Sequence, residues 1–200
     1  MSQEISLSGL TITPQELDQL EVDFEASESW QDWINFTRDL AQKQPESQGR
    51  AIWRRLGKRF QSLSERYEQE QNMILASDLA FLCGQIWSKE LTRSDLAMKD
   101  YLRSYKLDPD QIDALQEARF IYEEKEQWEI ALQLCTLEQD LAETPEEEAA
   151  LLLHMAGICA ERLQRIDDAV RCIREAARLI PNFVPPERFK TLMEEAETTQ

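Results

Sequence analysis

The spacing of three prolines constrains this chain more than any other feature. Pro109, Pro145 and Pro181 fall 36 residues apart, and each closes a run of helix-forming residues: 97–108, 128–144 and 168–180. A fixed period of roughly 20–50 residues marks stacked supersecondary units, because each unit needs a neighbour to bury its apolar face. The period therefore predicts antiparallel helix pairs repeated along the chain. Work of the kind such arrays do, holding partners, is the first functional expectation.

The composition agrees. Five glycines and seven prolines in 200 residues are few, and Glu, Gln, Leu, Ala and Arg dominate, so helix is favoured nearly throughout. A hydrophobic content of 42% argues against disorder as the ground state. No apolar run approaches the ~20 residues that span a bilayer, so no membrane insertion is expected. The start, Met1-Ser2-Gln3-Glu4-Ile5, lacks the basic and apolar pattern of a signal peptide, which points to the cytoplasm. With 22 cations against 39 acids the net charge is −17, the wrong sign for gripping phosphates, and nucleic acid is excluded as the expected partner. A basic partner would instead be steered toward the chain.

Breaks in the pattern divide the chain. Residues 1–12 lack a sustained period and read as a loose arm. Thr13-Pro14-Gln15-Glu16 has the order of a helix start, with Thr13 as cap, and that helix ends near Ala26. Trp30, Trp33, Phe36 and Leu40 then share one helix face. Residues 45–49 read as a loop. Helices follow over about 50–67, 71–90, 95–107, 111–124, 128–142, 149–163 and 167–180, and a last one opens after Pro185-Pro186. Thr144-Pro145-Glu146-Glu147 combines a cap, a first-turn proline and acids at the positive helix end. The expectation is an all-α chain of about ten antiparallel helices. Its divisions are an arm and first helix (1–26), degenerate hairpins (27–76), three repeats (77–183) and a capping helix (184–200).

The repeats align on small residues. Ala97, Ala131 and Ala169 are separated by 34 and 38 residues in the second helices, while Gly84, Ala118 and Ala156-Gly157 mark the matching place in the first. Closely crossing helices leave no room for a long side chain, and Leu115, Tyr122, Trp128, Leu153 and Ile173 fill the rest of the seam. This pattern resembles the tetratricopeptide repeat. The third unit carries Leu153, Ala156, Gly157, Ala169, Ile173, Ala176 and Pro181; the second Leu115, Ala118, Tyr122, Ala131 and Pro145; the first Gly84, Trp87, Ala97, Tyr101 and Pro109. A fragment, Trp53-x-x-Leu56-Gly57-x-x-Phe60, is similar to the family's first-helix signature, without the second helix that should follow. The resemblance implies a right-handed solenoid whose first helices line a concave groove, and no cofactor.

The groove positions that follow are Asp78, Phe81, Gln85 and Ser88 in the first repeat, Asp113, Gln116, Phe120 and Glu123 in the second, and Leu151, His154, Ile158 and Glu161 in the third. Apolar spots among acids suit a protein or peptide segment with a basic or amphipathic surface. A second candidate is the basic run Arg50, Arg54, Arg55, Lys58 and Arg59, whose like charges repel at four-residue spacing. Acids on preceding helices, such as Glu25, Glu28, Asp32 and Asp39, would neutralise it; alternatively, Arg54 and Lys58 would face the groove and take an acidic ligand if the Trp53 helix is a first helix. His154 is the one histidine, and no nucleophile or acid is placed beside it by any motif. Cys83, Cys135, Cys159 and Cys172 form no Cys-x-x-Cys pair and have no histidine cluster nearby, so they read as packing residues with no metal role. The expectation is a non-enzymatic interaction scaffold or adaptor. Its alternatives are an acidic repeat chaperone for a secreted or membrane-active client and a regulatory or targeting subunit of an enzyme complex.

Overall fold

A computed structural model describes residues 5–7, 10–12, 14–181 and 183–198, with side chains over 17–181 and 183–192. The chain forms two compact units, 1–107 and 108–200. Among the described residues ten α-helices carry nearly all of the structure.

The first unit opens with a short hairpin in place of the expected loose arm. Strands β1 (Ile5–Leu7) and β2 (Leu10–Ile12) pair antiparallel, Ile5 opposite Ile12 and Leu7 opposite Leu10. Their apolar residues alternate with polar ones, a two-residue pattern too short to register as a sustained period. Helices α1 (Pro14–Ser27), α2 (Trp30–Gln42), α3 (Glu46–Gln69), α4 (Met73–Gln85) and α5 (Ser94–Leu107) follow. Thr13, the expected cap, lies outside the described residues. The expected loop at 45–49 is only partly a loop. Pro45 caps α3, and Gly49 is already buried in its first turn, where a Cβ would meet the Ala41 carbonyl oxygen at 2.9 Å. The run expected to be one helix over 71–90 turns from α into a π-helical turn at Ile86–Glu90.

Aromatic packing centres this unit. Phe24 stacks on Trp33 at 5.8 Å, and Trp33 meets Phe60 edge-on at 5.4 Å. Trp53, Leu56, Gly57 and Phe60 are all buried on α3, so the signature fragment is core. Gly57 permits close contact with the Trp87 ring, 3.2 Å from a Cβ placed there, and Gly84 sits even tighter against the Tyr101 ring.

The second unit contains α6 (Ile112–Glu124), α7 (Trp128–Asp140), α8 (Pro145–Gly157), α9 (Ile166–Leu179) and α10 (Glu187–Thr198). Thr144 caps α8 as the sequence predicts: its hydroxyl accepts from the Glu147 amide, and the Glu147 carboxylate accepts from the Thr144 amide. A second π-helical turn, Ile158–Arg162, extends α8. Cross-links order the hairpins. His154 on α8 reaches Glu123 on α6, and Arg165 at the start of α9 pairs with Glu129 on α7. These pairs link α6 to α8 and α7 to α9, while α6 packs on α7, α7 on α8 and α8 on α9. Phe189 of α10 inserts into the cluster of Ala149, Leu152, Ala156, Ile173 and Ala176, closing this end.

The repeat is written into the backbone as well as the side chains. Thr92, Glu126 and Gln164 adopt left-handed φ values of 53°, 56° and 56°. Each lies five residues before Ala97, Ala131 or Ala169, and all three alanines are fully buried. The turns before α5, α7 and α9 thus share one backbone conformation, which Glu28 and Gln71 also adopt before α2 and α4 at φ values of 51° and 63°. One expectation changes. Gly157 has room, since a Cβ there would come no nearer than 3.7 Å to the Arg188 guanidinium; Ala156, fully buried, is the tight position of that pair.

Candidate functional site

Within the first unit a cleft of about 380 Å³ opens between the start of α2 and the middle of α4. It is lined by Glu28, Ser29, Trp30, Gln31 and Asp32 on one side and by Asp78, Phe81 and Leu82 on the other. Its lining holds three acids and no cation. Trp30 and Phe81 are half-buried, held from behind by contacts to Phe60 and Tyr101 respectively. Two of the expected groove residues, Asp78 and Phe81, therefore converge with acids and an aromatic ring from α2. Gln85, one turn further along α4, lies outside the cleft lining.

In the second unit the expected positions divide. Asp113 and Gln116 are exposed, and Phe120 is 56% exposed, a large ring left in solvent. Glu123 and His154 meet, and with Glu161 and Ile158 they line a pocket of about 190 Å³ that also includes Trp128, Arg162 and Arg188. Ile158, expected as an open apolar spot, is instead buried. The π-helical turn begins at this residue, as another does at the equivalent Ile86, also buried. On α6, which lacks such a turn, the equivalent residue is Phe120, and it stays outside. A change of helical phase, invisible to a count of threes and fours, separates the two cases.

The polar network beside this pocket is dense. Arg119 Nε bonds Glu138 Oε1 at 2.7 Å, and its Nη1 bonds Glu123 Oε1 at 2.8 Å. His154 Nε2 lies 2.8 Å from the same Glu123 oxygen and 3.1 Å from Arg119 Nη1. Glu138 is almost wholly buried, and charge-assisted bonds from Arg119 compensate its lost hydration. Burial pushes the Glu123 carboxyl up, but hydrogen bonds from His154 and Arg119 outweigh it and hold the group below the ordinary range. Cys135 lies under this network, its thiol pushed up to about 12 chiefly by burial. The expectation that His154 stands alone and that the cysteines lack a histidine neighbour is thus corrected. Each donor comes from a different helix, so no local spacing could reveal the convergence.

The basic run resolves into neutralised and free halves. Arg55 pairs with Asp18 and Glu21, and Arg59 and Arg66 both reach Glu25. Glu25 was foreseen in this role; Asp18 and Glu21 were not. Arg50 donates to the Leu91 carbonyl at 2.8 Å. Arg54 and Lys58 remain exposed with no ion pair among the described residues. They stand on α3, the helix that carries the Trp53 fragment.

No protein-family model matches this chain, and no curated protein matches it either. Among the described residues no helix is long and apolar enough to cross a membrane.

Proposed function

We propose that this chain is a non-enzymatic binding protein of the tetratricopeptide type, which holds a basic or amphipathic segment of a partner protein. The observation that carries this reading is the first-unit cleft. Glu28, Asp32 and Asp78 set negative charge around the half-buried rings of Trp30 and Phe81, with no cation in the lining. A partner side chain of mixed character, an apolar stem ending in a lysine or arginine head, matches both halves of such a surface. The net charge of −17 would steer that partner inward. The repeated hairpins support the family reading through their shared left-handed turns and fully buried alanines. In the second unit, exposed Phe120 beside Glu123 offers an apolar anchor of the same kind.

The test is site-specific photo-cross-linking in an extract of the source cells. A cross-linking residue replacing exposed Gln31, at the cleft, should capture a discrete protein that excess unlabelled chain displaces. The same group replacing exposed Val184 should not. Identical adduct patterns from both positions would refute the proposal.

A further inference from the structure

Outside the proposed cleft, one atom each from Glu123, Cys135 and His154 lie within 4.8 Å of one another, supplied by α6, α7 and α8. Carboxylate, thiolate and imidazole together are a donor set that suits zinc and its borderline-soft neighbours. Glu123 Oε1 and His154 Nε2 stand 2.8 Å apart, close enough for one ion to take both in place of the proton between them. Access is the further observation. Glu123 and His154 line the 190 Å³ pocket while Cys135 is buried behind them, so an ion has an entry path and an open side for a water ligand.

We propose that Glu123, Cys135 and His154 form a binding site for a divalent ion of the zinc class, completed by water from the pocket. On binding, a sulfur–metal bond forms and the Cys135 thiol proton passes to solvent; no oxidation state changes. Arg119 Nη1 withdraws from Glu123 and His154, while its Nε and Nη2 stay with Glu138. The two positive charges of the ion are then matched by Cys135 and Glu123, and Arg119 remains matched by Glu138.

Titration of the full, reduced chain with Co²⁺ tests the site. Tetrahedral cobalt should give intense visible bands and a thiolate charge-transfer band in the near ultraviolet, and Zn²⁺ should abolish both. Cys135→Ala should remove the charge-transfer band although Cys83, Cys159 and Cys172 remain. Its affinity should fall by more than the roughly 10–100-fold that loss of an outer-shell partner costs. Glu123→Gln, nearly the same shape, should weaken binding without loss of helical circular dichroism, and it keeps the test decisive if the cysteine variant does not fold. A pale octahedral spectrum with no thiolate band, or a band that survives Cys135→Ala, would overturn the proposal.

Discussion

At the scale of single residues, two glycines with the same place in the sequence pattern have opposite meanings. A Cβ on Gly84 would stand 2.6 Å from two carbons of the Tyr101 ring, which is itself fully buried and cannot step aside. Gly84→Ala should therefore destabilise the first unit by about 1–3 kcal/mol, as overpacking does. Gly157→Ala meets only ordinary contact and should stabilise by about 0.5–1 kcal/mol through helix propensity. Urea unfolding of both variants measures this, and equal effects would contradict the packing described. Asp100 carries a second test. It is buried on α5, and desolvation raises its carboxyl above the ordinary range despite hydrogen bonds with Cys83 and Trp87. The native state thus holds this proton more tightly than the unfolded chain does. Stability from this group is full below the ordinary pKa and is lost as pH rises through the folded value. Asp100→Asn should flatten that decline in unfolding series run from acidic to neutral pH; an unchanged slope would remove Asp100 as its source.

At the scale of elements, the sequence was legible wherever a side chain itself does the structural work. Buried alanines at crossings, the Thr144 cap and the tryptophan face of α2 could be read because size, hydroxyl and hydrophobicity are written in the residue. The turns within the helix pairs could not. Thr92, Glu126 and Gln164 take left-handed backbone in place of the glycine that usually marks it, and their conformation is imposed by the packing of the helices they join. Glu126→Gly should consequently stabilise by up to about 1 kcal/mol, with Glu126→Ala giving no gain, because only glycine relieves the Cβ conflict. Thr144→Ala should cost about 1 kcal/mol by leaving the α8 amides uncapped. Thermal melts of the three variants decide both points. The π-helical turns and the Glu123–Cys135–His154 convergence were illegible for a related reason. One is a shift of phase within a helix, and the other joins residues on three helices that meet only after folding.

At the scale of the whole molecule, acids outnumber cations 39 to 22, an excess that favours approach of a basic partner. The excess is unevenly distributed: arginines of α3 pair with Asp18, Glu21 and Glu25, whereas the first-unit cleft gathers Glu28, Asp32 and Asp78 in one lining. Association with a cleft ligand should accordingly weaken as salt rises from low to physiological strength, since screening shortens to about 8 Å at 0.15 M. The most direct measurement is selection of binders from a random peptide library on the intact chain, followed by titration against Asp32→Lys. The selected peptides should combine lysine or arginine with large apolar residues, displace one another, and bind about tenfold more weakly, ~1.4 kcal/mol, after the reversal of this one exposed charge. Selection of acidic peptides, or of basic ones whose affinity is indifferent to Asp32→Lys, would contradict recognition at the cleft.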